Sequence, residues 1–389
     1  MTENIEVKAL ADFLREFPTN FLATDFERKF DPKFYTEWTS RRWDLCIGAV
    51  LLYSAMIRFG PGVMSDGLFL KRKDYEVTLL DAEGKETATK ETMTAVSMRR
   101  VPVEGCKEDI KKIHTLLWKS TFALGEKVIF QASKGKEKNF VKGIVTNVSG
   151  TDIQIIKKPD RAFDLRIPLA VWNFFLSFFS FIGMMRTVPT LLANIIEYRW
   201  KDTICLPART LKDGTPHWAS GPCGVWVMFF IFSKLPELVD TLFIVLRRKQ
   251  LIFLHWYHHI TVLLFCWSAY STNAASGLYF VGMNYTVHAM MYGYYCLQAL
   301  EMVPKWFPTI LITSSQIIQM LIGTTVCVAA WYFHFDDDTK GVPREDRCQN
   351  QIGNLIGGGI MYASYLYLFL EFAVGKYFTP KNKGKGKDL

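Results

Sequence analysis

Seven long apolar runs constrain this chain of 389 residues more than any other feature of its sequence. A helix needs about 20 apolar residues to cross about 30 Å of hydrocarbon, and the runs are of about that length. They are continuous, whereas a transmembrane barrel would need short alternating strands. The sequence therefore predicts an all-α polytopic membrane protein with seven transmembrane helices, near residues 44–62, 167–195, 224–246, 251–270, 277–298, 307–333 and 352–376.

The net charge of +9 is explained by membrane orientation, and no nucleic-acid partner is expected. Basic residues are concentrated in 71–161, 246–250 and 381–387. Because cytosolic connections are enriched in Lys and Arg, we assign these segments to the cytosol. Seven spans then place the N-terminus in the lumen and the C-terminus in the cytosol. The connections 196–223 and 334–351 are lumenal in this topology.

Composition divides the chain into five parts. Residues 1–43 form an amphipathic segment suited to a membrane surface, without a cleavable signal peptide. Residues 44–70 hold the first transmembrane helix. Residues 71–161 are polar, with strand-like runs between turn residues, which predicts a small cytosolic β-rich domain of SH3-like size. A solvated insertion without activity is the alternative. The transmembrane core, 162–376, and a basic cytosolic tail, 377–389, follow.

Two cysteines lie in the connections assigned to the lumen, where oxidation is allowed. These are Cys205 and Cys348, and we predict a disulfide between them. Cys223 is the competing partner, and three free thiols are the other alternative.

Polar residues inside the apolar runs form four clusters. Ionisable groups in a membrane are expensive and mark functional sites by default. Within each cluster, residues three or four apart share a helix face. The clusters are Lys234, Glu237, Asp240 and Thr241 in "KLPELVDT"; His255, His258 and His259 in "HWYHH"; Asn284, His288, Tyr292 and Tyr294 in "NYTVHAMMYGYY"; and Thr313, Gln316 and Gln319 in "TSSQIIQ".

These clusters agree in predicted depth. At about 1.5 Å per residue, His258 lies about 10 Å, Asp240 about 9 Å and His288 about 15 Å from the cytosolic end of its span. Gln316 and Gln319 lie about 13–18 Å in by the same measure. Each residue alone could simply bond a neighbouring helix, but scattered structural groups would not share one level. The sequence therefore predicts one site in the cytosolic half of the membrane.

Histidines in such a site can bind a metal or act as nucleophile and general base. Three of the seven histidines, His114, His217 and His334, lie away from the clusters. The four histidines that remain are too few for a di-iron centre. No resident metal is expected, although a single metal held by two or three imidazoles stays open. A metal-dependent membrane lipid hydroxylase is thus the alternative. A receptor would place its pocket outside, and a transporter would show repeats or broken helices.

The ordered motifs resemble those of the ELO family of very-long-chain fatty acid elongases. "KLPELVDT" resembles the family's KxxExxDT, "HWYHH" its HxxHH, "HAMMY" its HxxMY, "TSSQIIQ" its TxxQxxQ and "FFSFIGMMR" its FSxxGxxR. The resemblance runs from about residue 35 to the C-terminus, except for 71–161. "LIFLHWYHHITVLL" is similar to the branch that elongates saturated and monounsaturated chains.

The resemblance implies a fold, a reaction and a location. Six of seven helices would enclose a narrow acyl tunnel closed toward the lumen, with bulk such as Trp267 or Phe280 limiting chain length. Long-chain acyl-CoA and malonyl-CoA would give 3-oxoacyl-CoA, CO2 and CoA without a cofactor. The protein would be a multi-pass endoplasmic reticulum protein, and Lys385 and Lys387 resemble a dilysine retrieval signal. Membrane lipid, the reductases and dehydratase of the elongation cycle and a second copy are the implied partners.

The resemblance also implies roles for the clustered residues. His258 would attack the acyl thioester and hold the chain as an acyl-imidazole, although a ternary-complex route stays open. His255, His259 and Asp240 would orient His258 and move protons, and His288 with Asn284 would stabilise the oxyanion or enolate. The other predicted substrate-binding residues are Lys234, Arg247, Lys249, Tyr294 and Thr313 for CoA, together with Glu237, Tyr292, Gln316 and Gln319.

Overall fold

The computed structural model describes two compact units, Met1–Gly60 with Asp164–Leu389, and Pro61–Phe163. His114, Lys385 and Lys387 lie outside the described residues. The described residues are 2–65, 75–80, 86–93, 96–99, 127–134, 137–149, 152–157, 165–211, 214, 217–247, 249, 251–304, 306–343 and 347–378.

The regular secondary structure among the described residues of the larger unit is helical apart from one bridge residue, Thr210, and turns and irregular segments connect the helices. Short helices lead into the first long one, and longer helices follow the insertion. In chain order they are α1 Thr2–Leu14, a π-helical turn Arg15–Thr19, α2 Asp25–Arg28, α3 Lys33–Arg41, α4 Trp43–Ser65, α5 Arg166–Glu197, α6 Trp200–Cys205, α7 Gly221–Ser233, a 3-10 turn Pro236–Leu238, α8 Val239–Leu246, α9 Phe253–Ser271, α10 Gly277–Ala299, α11 Ile310–Thr339, α12 Ile352–Ala373 and a π-helical turn Val374–Phe378.

Four helical segments among the described residues are long and apolar enough to cross a membrane. They are Trp43–Gly60, Arg166–Glu197, Ile310–Thr339 and Ile352–Tyr377. The other predicted spans coincide with α7 and α8, with α9 and with α10, which carry the polar motifs. A multi-pass membrane protein is therefore supported, and the count of seven spans stays a prediction.

The predicted continuous helix over 224–246 is wrong, because the structure interrupts it. α7 ends at Ser233, a 3-10 turn spans Pro236–Leu238, and α8 begins at Val239. Pro236 lacks an N–H and its ring clashes with the preceding turn, so it cannot continue an α-helix. The "KLPELVDT" motif consequently includes a 3-10 turn, so its polar groups do not keep the spacing of one α-helical face.

The smaller unit contains antiparallel strands. The predicted runs at 75–80, 126–132, 140–148 and 151–156 fall on strands of the sheet. Its strand order is β2-β1-β4-β5-β6-β3, with β1 Tyr75–Leu80, β2 Glu86–Met93, β3 Val96–Arg99, β4 Lys127–Lys134, β5 Glu137–Ser149 and β6 Asp152–Lys157. Its SH3-like closure and its cytosolic location stay predictions.

A buried arginine anchors the N-terminal segment to α5. Arg186 donates from Nη1 to the Thr19 carbonyl oxygen at 2.7 Å and forms an ion pair with Glu27 at 3.3 Å. Glu27 also accepts from Trp226 at 2.9 Å. Burial raises the pKa of Glu27, but hydrogen bonds from Thr24 and Trp226 and the Arg186 charge outweigh it, so the pKa is lowered. The ionised carboxylate thus joins this segment to α5 and α7.

A second set of contacts fixes the connection between α6 and α7. We call residues 206–211 and 217–220 the cap segment. Cys205, just before it, forms a disulfide with Cys348, while Cys223 is a buried free thiol. Within the segment, the Ala219 amide donates to the Ala208 carbonyl oxygen at 2.9 Å. The hydrogen bond closes the cap segment on itself, and the disulfide ties its start to the connection between α11 and α12.

Candidate active site

Most of the predicted site residues line one polar cavity, which we call the polar chamber. The space inside its wall, the part open to solvent included, is about 1710 Å³. Its wall is formed by side chains from α5, the 3-10 turn between α7 and α8, α8, α9, α10, α11 and α12. The predicted residues that line it are Glu237, Asp240, Arg247, Lys249, His255, His258, His259, Asn284, His288, Tyr292, Gln316 and Gln319. Four separate sequence motifs therefore meet in one space.

A second cavity, the apolar chamber, adjoins the first. The space inside its wall, any part open to solvent included, is about 780 Å³, and aliphatic and aromatic side chains dominate the wall. Ala208, Trp218 and Ala219 of the cap segment line it, and all three are buried. The apolar chamber is thus covered at this end by the cap segment.

The two chambers share four wall residues: His258, Asn284, Gln319 and Met320. His258 is the one imidazole common to both walls. A molecule with a polar head and a long apolar tail could place its junction at this imidazole. The other three histidines of the polar chamber line that chamber alone.

A chain of hydrogen bonds leads from a buried ion pair to His288. Lys234 donates to Glu237 at 2.7 Å and to the Oδ1 atom of Asn284 at 3.3 Å. Because an ammonium group only donates, Oδ1 of Asn284 must be the acceptor, and its Nδ2 is left to face His288 Nε2 at 3.1 Å. His288 Nε2 therefore accepts, and its proton resides on Nδ1.

This arrangement corrects the prediction that Lys234 binds CoA. Lys234 is 2% exposed and lines neither chamber. Its charge is matched by Glu237 and by the face of Phe230, whose ring centre lies 4.0 Å from Nζ. Lys234 consequently positions Asn284 and His288 from behind the wall.

His255 and His259 form a pair beside His258. The His255 and His259 ring centres are 4.5 Å apart, and those of His258 and His259 are 5.7 Å apart. His255 Nε2 is 2.9 Å from the Thr241 hydroxyl, which in turn lies 2.7 Å from the Tyr53 hydroxyl. A relay of exchangeable protons thus runs from Tyr53 through Thr241 to His255, whose ring packs against that of His259.

The predicted role of Asp240 as the partner of His258 is not supported by its hydrogen bonds. Its two carboxylate oxygens accept from Trp172 and from Tyr292, each at 2.6 Å. These bonds tie α8 to α5 and α10, so Asp240 shapes the chamber wall. Tyr292, which we predicted as a substrate contact, is likewise committed to this carboxylate.

Two further predicted residues do not line either chamber. The Tyr294 ring stacks on Phe307 at 5.5 Å, and the Thr313 hydroxyl lies 3.1 Å from that of Tyr377. By contrast, Arg247 and Lys249 both line the polar chamber, as a site for CoA phosphates requires. Gln316, also in the wall, lies 3.2 Å from the Met291 sulfur.

Several wall-supporting residues were missed by sequence reasoning. The Tyr365 ring lies 5.0 Å from that of His258, and its hydroxyl donates to the His258 carbonyl oxygen at 3.2 Å. Tyr53 and Trp172 act through Thr241 and Asp240. These aromatics lie in ordinary apolar runs, and no polar periodicity distinguishes them. These aromatics are recognised only in the structure, where α4 and α5 contact α8 and where α12 contacts α9.

The histidine arrangement bears on the hydroxylase alternative. Across the described part of the chain, no three His, Cys, Asp or Glu side chains are placed to share one metal ion. His255 and His288 each have a ring nitrogen engaged by a neutral side chain. These two hydrogen bonds hold each ring in a defined orientation.

The far wall of the apolar chamber differs from the prediction. Phe280 lines the chamber, but Trp267 does not. Trp267 is fully buried and donates to the Thr39 carbonyl oxygen at 3.0 Å, which fixes α9 against α3. Trp218 of the cap segment is the tryptophan that lines this chamber among the described residues.

Comparisons with known proteins agree with these motifs. Residues 144–385, more than half of the chain, match the family model described as ELO: GNS1/SUR4 family. The chain is 41% identical over 218 residues to very long chain fatty acid elongase 6 of Drosophila melanogaster, covering 56% of this chain and 65% of the fly protein.

Fatty acid elongases of two other organisms show similar sequence identities to this chain. Identity to very long chain fatty acid elongase 6 of Homo sapiens is 39% over 224 residues, covering 57% of this chain and 77% of the human protein. Identity to fatty acid elongase 2 of Trypanosoma brucei brucei is 39% over 215 residues, covering 55% of this chain and 76% of the trypanosome protein. The alignments span just under two thirds of the fly protein and about three quarters of the other two.

Proposed function

Because the chain belongs to the ELO (GNS1/SUR4) family, we propose that it catalyses the condensing step of fatty acid elongation. The substrates are a long-chain saturated or monounsaturated acyl-CoA and malonyl-CoA. The products are 3-oxoacyl-CoA, CO2 and CoA. One observation carries the proposal: His258 lies where a polar chamber with four imidazoles joins an apolar chamber.

The chamber walls fit the two halves of an acyl-CoA. Burial of each CH2 group in an apolar wall is favourable by about 0.8 kcal/mol, so the acyl chain belongs in the apolar chamber. Arg247 and Lys249 give the polar chamber the positive charge that CoA phosphates require. The thioester carbonyl then lies at the junction, beside His258.

In the first half-reaction, a ring nitrogen of His258 attacks the thioester carbonyl carbon. The C–S bond breaks, and the CoA thiolate takes the proton that the imidazole loses. The His255–His259 pair, linked to Thr241 and Tyr53, provides the route for this proton. The acyl chain is now held on His258 as an acyl-imidazole, and free CoA leaves through the polar chamber.

In the second half-reaction, malonyl-CoA enters the polar chamber and loses CO2. The electron pair of the broken C–C bond forms an enolate, whose carbon attacks the acyl-imidazole carbonyl. The C–N bond to His258 breaks, and the released imidazolate takes up one proton. His288, whose tautomer is fixed by Asn284 and Lys234, stabilises the enolate oxygen.

The membrane assignment follows from the same proposal. The protein is a multi-pass protein of the endoplasmic reticulum, with its N-terminus in the lumen and its C-terminus in the cytosol. The polar chamber opens to the cytosol, where both CoA thioesters are found. The cap segment, with its disulfide, then lies on the oxidising lumenal side.

Intact mass of the purified full chain tests the proposal. Incubation with palmitoyl-CoA alone should add one palmitoyl group, and addition of malonyl-CoA should discharge it as the two-carbon-longer 3-oxoacyl-CoA. His258→Ala should abolish both events. His334→Ala is the matched control, because His334 lines neither chamber.

The other outcomes are equally informative. Product without an adduct would retain the condensing reaction but remove the nucleophilic role of His258. Neither adduct nor product, over several chain lengths, would contradict the proposal. Stoichiometric iron or zinc in the purified protein would then direct attention to the metal-dependent hydroxylase.

A further inference from the structure

The far end of the apolar chamber carries two polar side chains, Tyr270 and Asn273. The other wall residues near the cap segment are Ala208, Trp218, Ala219, Ala274 and Gly277. Tyr270 is 6% exposed, and its hydroxyl has no hydrogen-bond partner among the described residues. A buried hydroxyl without a partner is unfavourable, so its retention in an apolar wall calls for an explanation.

Packing alone does not explain the Tyr270 hydroxyl. Phenylalanine would fill nearly the same volume and keep the ring contact with Phe232, whose centre lies 6.4 Å away. Other buried tyrosines of this unit use their hydroxyls: Tyr279 bonds Thr203 and Tyr285 bonds the Trp226 carbonyl oxygen, each at 2.8 Å. Tyr365, which lines the same chamber, also uses its hydroxyl, on Thr261 and the His258 carbonyl oxygen, so the unpartnered Tyr270 hydroxyl stands apart among the wall tyrosines.

The position of Tyr270 matches the end of a long acyl chain. Tyr270 follows His258 by twelve residues on α9, and both line the apolar chamber. Twelve residues of α-helix rise about 18 Å, which is close to the extended length of an acyl chain of about 15 carbons. A chain attached at His258 therefore brings its last carbons to Tyr270 and Asn273.

We propose that the apolar chamber accepts long-chain acyl groups that carry a hydroxyl at the methyl end. The Tyr270 hydroxyl is the hydrogen-bond partner of that ω-hydroxyl, and the Asn273 amide adds a donor and an acceptor beside it. The inference rests on the proposed function, because it takes the chamber to be the acyl site. It adds ω-oxygenated chains to the substrate class.

The test is a competition assay with the purified full chain and malonyl-CoA. Equimolar palmitoyl-CoA and ω-hydroxypalmitoyl-CoA are supplied together, and the ratio of the two elongated products is measured. A wholly apolar wall would disfavour the hydroxylated chain by about tenfold or more, whereas a wall that supplies a partner would not. We expect the wild-type ratio to stay within about threefold of one.

Two comparisons isolate Tyr270. Tyr270→Phe should lower the share of the ω-hydroxylated product by about tenfold. Tyr279→Phe, which removes a buried hydroxyl outside both chambers, should leave the ratio unchanged. In the wild-type chain, palmitoyl-CoA hydroxylated at mid-chain should be disfavoured against ω-hydroxypalmitoyl-CoA, because its hydroxyl meets Val262 and Phe265. This comparison needs no variant.

The assay distinguishes failure of this inference from failure of the proposed function. If palmitoyl-CoA is elongated but the ω-hydroxylated chain is rejected about tenfold, this inference is wrong and the proposed function stands. A ratio near one that Tyr270→Phe leaves unchanged would also overturn it. If neither chain is elongated, the proposed function fails and the inference fails with it.

Discussion

Lys234 shows how a charged residue can serve this site without reaching its substrate. The ammonium group is enclosed by Glu237, Asn284 and the Phe230 ring. Its fixed donor character decides which atom of Asn284 faces His288, and hence where the His288 proton resides. In sequence, the residue is indistinguishable from a phosphate-binding lysine, because spacing carries no information about burial.

The first prediction concerns this ion pair. Lys234→Met should lower the free energy of unfolding by about 3–5 kcal/mol, because it leaves the Glu237 carboxylate buried without a cation. Lys234→Met combined with Glu237→Gln should recover much of that loss, since both charges are then absent. Thermal unfolding in one detergent measures both variants. A double variant no more stable than the single one would contradict the charge explanation.

A second residue-scale prediction concerns His217 of the cap segment, which lies outside the spans. Burial lowers the pKa of His217, even though Nδ1 donates to the Pro207 carbonyl oxygen at 2.7 Å. The unfolded chain, with a His pKa of about 6.5, therefore binds a proton before the folded chain does. The resulting stabilisation is complete above about pH 6.5 and is lost as the pH falls through the folded pKa.

His217→Asn provides the measurement. The Asn side-chain amide can replace the Nδ1 donor to Pro207 but does not titrate in this range. Between about pH 7.5 and about pH 5.5, the Tm of the wild-type chain should fall more than that of the variant. Equal falls would show that other groups set the acid sensitivity.

At the scale of elements, the sequence predicted helices better than it predicted their interruptions. The ends of α5, α9, α10 and α12 lie within a few residues of the predicted apolar runs. The break at Pro236 was missed, because the motif pattern at i, i+3, i+6 and i+7 suited an unbroken helix. The apolar pattern indicates which residues avoid water. It does not show where a proline interrupts the α-helix, because that interruption comes from the missing N–H and the steric clash of the ring.

The sequence predicted which residues belong to the candidate site better than it predicted which residues they contact. Polar residues at a common depth, such as His258 and Gln319, do line shared walls. The partners of Asp240 were not predictable, because Trp172 lies on α5, 68 residues earlier in the sequence. Pairings of this kind depend on helix packing, which no local pattern encodes.

The packing of α11 on α12 gives the element-scale prediction. A Cβ atom added at Gly323 would lie 2.1 Å from the Tyr362 ring, and Tyr362 lines the apolar chamber. Gly323→Ala should therefore separate the two helices and destabilise the protein by about 1–3 kcal/mol. Gly353→Ala, on α12 with nothing within 4 Å, is the matched control and should not destabilise. Thermal unfolding compares them, and equal Tm values would refute the close-packing argument.

At the scale of the whole molecule, the two chambers divide the bundle by polarity. The four imidazoles line the polar chamber together with Arg247 and Lys249, and the disulfide lies beside the cap segment, which lines the apolar chamber. A basic connection favours the cytosol, and a disulfide favours an oxidising compartment. Two independent chemical signals thus give the same orientation across the membrane.

N-glycosylation tests that orientation. Asn147-Val148-Ser149 in β5 is an acceptor sequence, but the predicted topology places it in the cytosol, where it should remain unmodified. Asp213→Asn, in the connection predicted to be lumenal, completes an acceptor with Thr215. Translation into microsomes should add a glycan to the Asp213→Asn chain alone, seen as a mass shift that an endoglycosidase removes. A glycan on Asn147 of the wild-type chain would reverse the topology and with it the cytosolic opening of the polar chamber.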